Sequence, residues 1–189
     1  MPFRTLLPLA FAVLLAACGG SDTVDFSAPS AGGAGQVSSD QVDATLAPAA
    51  DEVPPPDARL FEGGWPEAAA FIAREAEADT PVLVNIFASW CEPCRREMPM
   101  LLEARDDNPD ITFLGIDHQD RYEDGERFVE EYGVDFATIH DLDGDVAANV
   151  GARGMPTTVV FDADGRAAGR VVGEVTENAL EELLAQARG

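Results

Sequence analysis

The chain has no lysine: its positive charge rests on 12 arginines against 35 aspartates and glutamates, for a formal net charge of −23. Phosphate binding needs concentrated basic charge, so this balance argues against a nucleic-acid partner. Two readings of the acidic excess stay open. It is a solvated surface, suited to a salty or acid-tolerant habitat, or a field that attracts basic partner proteins. Histidine is nearly as scarce. Only His118 and His140 occur, neither at a finger-like spacing from the three cysteines, so a metal centre lacks ligands. Both histidines are expected as ordinary surface or loop residues. A long apolar run is missing too: the stretch from Leu6 to Ala17 is too short for a comfortable membrane span.

That short stretch has another use. Arg4 followed by an apolar segment is the layout of an export signal, expected over residues 1–17. Leu15-Ala16-Ala17-Cys18 resembles a bacterial lipobox, which implies cleavage before Cys18 and lipidation of its sulfur. The alternative is an ordinary cleaved signal with an incidental cysteine. A lipid anchor implies a location in the cell envelope, on the extracytoplasmic side of a bacterial membrane, held there by acyl chains. Gly20 gives no Asp-type retention signal. Residues 19–58 are rich in Gly, Ser, Ala, Pro and Asp and have no sustained apolar period, so residues 18–58 are expected as an anchored tether. About forty such residues span on the order of 35 Å end to end.

The remaining residues, 59–189, read as one domain. Pro81–Ala88 is a short apolar run with β-branched and aromatic side chains, expected as a buried strand. Residues 95–102 read as a helix. Trp90-Cys91-Glu92-Pro93-Cys94 lies between them, which puts Cys91 at a helix N-terminus, where free N–H groups favour a thiolate. Cys94 follows within one turn, close enough to attack a sulfur held on Cys91. This is the geometry of a dithiol that passes disulfides, with a structural disulfide or half a metal site as the alternatives.

Other elements follow from local pattern. Leu60 and Phe61 start a first strand or pack under the domain edge. Trp65-Pro66-Glu67 opens a helix whose apolar face includes Ala69, Phe71, Ile72 and Ala76. Residues 111–116 read as a buried strand and 123–132 as a helix carrying Phe128, Val129 and Tyr132. Residues 136–139 are a short strand or extended loop, and 144–150 a short helix ending at Gly151. Thr157–Phe161 and Ala167–Val172 read as strands joined by a turn at residues 162–165. Thr176 caps a last helix with Leu180, Leu183, Leu184 and Ala187 on one face. The sum is an α/β sandwich with a mixed sheet.

WCEPC, together with the later Gly151-Ala152-Arg153-Gly154-Met155-Pro156-Thr157-Thr158-Val159-Val160-Phe161, resembles the thioredoxin superfamily, and in particular its TlpA/ResA-like membrane-anchored thiol–disulfide oxidoreductases. The resemblance covers roughly residues 65–189. It implies a thioredoxin fold, a mixed central sheet flanked by helices, with a TlpA-like helical insertion after the third strand. It implies Cys91 as nucleophile and Cys94 as resolving thiol. Pro156 is then a cis-proline facing the pair, with Met155 and Thr157 beside it and the Met155 backbone free to pair with an extended substrate. Trp90 shapes the partner-facing surface or simply packs, and Pro93 restrains the turn between the cysteines.

The chain also departs from the family. No hairpin pattern precedes the first helix, and the buried acid usual six residues before the first cysteine is replaced by Asn85. Glu97 is the alternative proton-transfer group, against the reading of a solvated helix charge. Arg95 and Arg96 are expected as exposed helix residues. No cofactor is implied beyond the cysteine pair, and a monomer is expected. The implied partners are exported protein disulfides and thiols, for example apocytochromes c, and a membrane thiol relay of the DsbD/CcdA kind. The implied direction is reduction; a disulfide oxidase or isomerase is the first alternative. A non-catalytic module binding a metal or a maturation partner is the second. The surroundings of a peroxidatic cysteine are not recognisable.

Overall fold

The run from Val82 to Phe87 forms a strand buried at all six positions. The structure, a computed structural model, describes residues 50 and 52–189. The expected export signal, Cys18 and most of the expected tether lie outside the described residues. In chain order the elements are β1 (Phe61–Glu62), α1 (Trp65–Glu77), β2 (Val82–Phe87), α2 (Glu92–Asp107) and β3 (Thr112–His118). They continue with α3 (Tyr122–Tyr132), β4 (Ala137–Asp141), α4 (Asp145–Asn149), β5 (Thr157–Phe161), β6 (Ala167–Val172) and α5 (Glu177–Arg188). One sheet of order β1-β4-β3-β2-β5-β6 collects all six strands. β2 pairs with β3 in parallel and with β5 antiparallel, so the sheet is mixed.

A buried strand sends alternate side chains to opposite faces, and β2 does so. Leu83 and Phe87 join a core built with Met98 and Leu101 of α2, Phe128 of α3, and Leu180 and Leu183 of α5. Val82, Val84 and Ile86 join a second core with Phe71 and Ile72 of α1 and Val146 of α4. Each such large apolar side chain contributes about 1.5–3 kcal/mol by leaving water. This is a thioredoxin-like α/β fold, with helices on both faces of a mixed sheet. The helix α3 follows the third strand and makes the crossover to its parallel neighbour β4.

Local chemistry explains the ends of several elements. Glu67 reaches back to accept the Gly64 N–H at 2.8 Å, and Asp145 accepts the Trp65 N–H at 3.0 Å, so two free amides at the start of α1 are satisfied. Asp162 Oδ1 accepts the amides of Asp164 and Arg166, closing the β5–β6 turn, where Gly165 has φ of 76°. The Thr176 hydroxyl accepts the Ala179 N–H and caps α5.

The domain's contacts begin earlier than residue 59. Val53 packs against the second core, and the Pro54 carbonyl accepts Arg74 Nη1 at 2.8 Å. The carbonyls of Pro56 and Ala58 accept the N–H groups of Ala137 and Thr138. Those amides start β4 ahead of its pairing with β1, so they need acceptors, and a proline-rich segment still supplies carbonyls. Composition identified a segment that builds no core, but it did not show this strap.

Candidate active site

α2 starts where the sequence placed it. Cys91 is its N-cap residue, with extended backbone, and its Sγ accepts the Cys94 N–H at 3.3 Å. The two sulfurs are joined in a disulfide, with the Cα atoms 5.3 Å apart. Cys91 is 5% exposed and Cys94 is fully buried, so an outside partner meets Cys91 first. Once the bond is reduced, that amide and the open end of a 16-residue helix favour a thiolate on Cys91. Glu92 opposes this only weakly, because its side chain is exposed to water.

A groove of about 600 Å³ opens on Cys91 and is lined by Trp90, Pro93, His118, Arg153, Gly154 and Met155, among others. Trp90 is 62% exposed, which rules out a mainly packing role. Met155 is half-buried and joined to Pro156 by a cis peptide bond. Pro156 and Thr157 do not line the groove. Pro156 is buried with its carbonyl accepting the Gly173 N–H, and the Thr157 hydroxyl turns inward to the Gly154 carbonyl at 2.7 Å. Thr157 is therefore corrected from a substrate-facing residue to the buried start of β5.

Behind the cysteines, Glu97 is 2% exposed, so it is not a solvated helix charge. It lies one turn beyond Cys94 along α2, a spacing that shares a helix face. Asn85 Nδ2 donates to its Oε1 and the Val175 N–H to its Oε2, both at 2.8 Å. Burial pushes the Glu97 carboxyl up to about 7; these two hydrogen bonds pull the other way, and Glu174 adds a small upward push. A buried acid with that value can hold or release a proton near neutrality. Asn85 does not titrate but contacts the acid that does, and its Nδ2 also reaches Thr158 Oγ1 at 3.1 Å. The acid missing from β2 is thus present on α2.

The arginines split. Arg96 is exposed and pairs with Glu174. Arg95 is half-buried: it holds the Ser89 carbonyl and Glu131 and lies over the Phe128 ring. Both histidines were misplaced by sequence reasoning. His140 is only 6% exposed and bonds Asp117 at 2.8 Å, while His118 ends β3 and lines the groove. His118 Nδ1 stands 3.8 Å from Asp141 Oδ2. Burial alone would raise the Asp141 carboxyl, but His118, Asp145 and the amides of Val146 and Gly144 outweigh it and hold it below the ordinary range. Arg153 and Gly154 were also missed as groove residues, although both lie inside the motif before β5. Among the described residues, no three His, Cys, Asp or Glu side chains are grouped to hold a metal ion, and no helix is long and apolar enough to cross a membrane.

Comparison with known proteins agrees with this geometry. The thiol:disulfide interchange protein CycY of Rhizobium leguminosarum bv. viciae is 37% identical over 106 residues, 56% of this chain and 56% of its own length. The thiol-disulfide oxidoreductase ResA of Bacillus thuringiensis subsp. konkukian is 31% identical over 107 residues, 54% of this chain and 61% of its own. The match therefore spans little more than half the length of these curated relatives. The structure of MTB dsbF, in mixed oxidized and reduced forms, aligns with a TM-score of 0.55 at 27% identity, covering 58% of this chain and 82% of that one. The AhpC/TSA family matches residues 65–168, more than half of the sequence. With a thioredoxin-like fold and TlpA/ResA-like relatives, the chain belongs to the AhpC/TSA family of the thioredoxin superfamily.

Proposed function

We propose that the chain is an exported, membrane-anchored protein-disulfide oxidoreductase that reduces disulfides in other exported proteins. The observation that carries the disulfide-exchange chemistry is the placing of Cys91 as N-cap of α2 on an open groove, with Cys94 and Glu97 buried behind it. In the reduced protein the Cys91 thiolate attacks a substrate disulfide. One substrate sulfur leaves as thiolate, and a mixed disulfide forms on Cys91. Cys94 gives its proton to Glu97 and attacks the Cys91 sulfur, which frees the second substrate thiolate. The protein ends oxidised and the substrate reduced by two electrons. Trp90 and Met155 flank the reacting sulfur, and an extended substrate segment lies beside the Met155 backbone.

The names of CycY and ResA support thiol–disulfide exchange. The resemblance stated above supports the finer reading: apocytochromes c among the substrates, a DsbD/CcdA-type relay as electron donor, and a lipid anchor on Cys18 on the extracytoplasmic face. The full chain should catalyse reduction of insulin by dithiothreitol, and Cys91→Ser should not. Equal rates for the two proteins would sink the reading. The anchor has its own test. Cys18→Ser should move the protein from the membrane fraction to the soluble one, and unchanged membrane association would refute lipidation there.

A further inference from the structure

β3 and β4 are parallel neighbours, and their register sets Asp117 opposite His140 and His118 opposite Asp141. The first pair is the deeper one. Asp117 is fully buried, with its Oδ2 2.8 Å from His140 Nδ1. α3 lies so close above it that a Cβ at Gly125 would come within 2.0 Å of Oδ2, so only glycine fits there. The other oxygen, Oδ1, has no hydrogen-bond partner. Burial pushes the Asp117 carboxyl up to about 7; the hydrogen bond to His140 opposes this, and the neighbouring Asp120 carboxylate adds to it.

Asp120, itself 6% exposed, connects this pair to the active site. Its Oδ2 accepts the Ser89 N–H at 2.6 Å and its Oδ1 accepts the Arg121 N–H at 2.8 Å. Ser89 directly precedes Trp90 and Cys91, and its carbonyl is held from the other side by Arg95 Nη1 at 3.1 Å. Trp90 is too exposed for its own packing to fix this loop. The loop is therefore fixed through the main chain of Ser89, and Asp120 supplies the carboxylate that does it.

We propose that Asp120 is a positioning residue for Trp90 and Cys91, and that the buried Asp117–His140 pair sets how firmly it holds their loop. The importance of the loop rests on the disulfide-exchange reading; the network itself does not. A proton on the unpartnered Asp117 Oδ1 would turn that atom into a donor toward the neighbouring Asp120 carboxylate, three residues on. Without that proton two carboxylates face each other out of water and repel, which drives Asp120 onto the Ser89 amide. From α3 the network is faced by Tyr122, whose ring meets that of His140 edge-on at 5.3 Å, and by the uncharged Gly125. Arg121, next to Asp120, is engaged with Glu123 and Asp124. His140 opens on a cavity of about 500 Å³ lined also by Glu62, Glu67, Asp141, Asp143 and Asp145, which gives the proton a way to solvent.

The test follows the Ser89 amide and the Trp90 indole N–H by NMR in the disulfide form of the full chain. The pH runs from about 5 to about 9, to cover ordinary and raised carboxyl values. Both signals should titrate together in the wild type and in Glu97→Gln, and stay flat in Asp117→Asn. Asp120→Asn keeps an acceptor for Ser89, so it should hold the loop but lose the titration. Asp120→Ala should release the loop, broaden the indole signal and lower kcat/KM for disulfide exchange about tenfold, the scale of one lost hydrogen bond to a charged group. Flat signals in the wild type, or a titration that survives Asp117→Asn, would overturn the proposal. If Asp117→Asn does not fold, His140→Gln serves: a midpoint that does not move would overturn it equally. A wild-type titration in a chain with no exchange activity would instead fail the functional reading and leave the network intact.

Discussion

A Cys94→Ser chain should stop turning over while still reacting once. Cys91 keeps its helix-cap position and attacks the substrate, but nothing then releases the mixed disulfide. The resolving attack in the wild type is intramolecular, and such reactions reach effective concentrations on the order of 10⁵ M. A millimolar external thiol is a poor replacement, so multiple turnover should fall at least about a thousandfold. The trapped species should be visible as a covalent adduct on a non-reducing gel, and it should disappear in the Cys91→Ser, Cys94→Ser double variant. If Cys94→Ser turned over like the wild type, Cys94 would not be the resolving thiol, and capture of a maturation partner without turnover would gain ground.

Glu97→Gln should change stability and rate in opposite directions. The folded protein holds the Glu97 proton up to about pH 7, whereas an unfolded carboxyl releases it near 4.5. Between those values the native state binds more protons than the unfolded state, so stability falls as pH rises through this window. A shift from 4.5 to about 7 corresponds to about 3 kcal/mol, absent below the window and complete above it. A glutamine side chain in its place stays neutral and escapes this loss. Its amide oxygen can accept the Val175 N–H, and its NH₂ can donate to Asn85 Oδ1, which has no partner at present, once the Asn85 amide turns over. The variant should therefore be about 3 kcal/mol more stable than the wild type above pH 7 and about equal to it at acid pH. Urea unfolding at both ends of the window measures this. Asp117 titrates in the same window, so the difference between the two proteins, not the wild-type slope, is the readout. Disulfide exchange near neutrality should slow about a hundredfold, the lower end of what a positioned acid–base group provides. Equal stability at both pH values would mean that Glu97 is not the buried titrating group.

Much of this arrangement was legible in the sequence because it is local. The β-branched run from Thr157 to Phe161, the Asp-Gly turn after it and the Thr176 cap each involve residues within a few positions of one another. The structure reproduces them with the same boundaries. Cys91 at the start of α2 was legible for the same reason. Where the reading failed or left a choice open, the cause was contact between distant segments. Glu97 stays either a proton-transfer group or a solvated helix charge until Asn85 and Val175 are brought onto it from β2 and the segment before α5. His140 looks like a loop residue until β4 lies beside β3 in the register that faces it with Asp117. A signal did exist: Asp117-His118 and His140-Asp141 are mirrored pairs near the ends of two apolar runs. Nothing local says that those runs are neighbours. The strap at Pro54–Ala58 was hidden likewise, because it supplies only backbone carbonyls, which composition does not show.

The reduction potential of the Cys91–Cys94 pair tests the proposed direction of electron flow most directly. Equilibration of the full chain in thiol redox buffers, followed by thiol alkylation, gives the value. A potential near or below about −250 mV, toward the thioredoxin end of the scale, is the expected result and fits a reductase. A potential near about −120 mV would make the protein a disulfide donor and contradict the assigned direction.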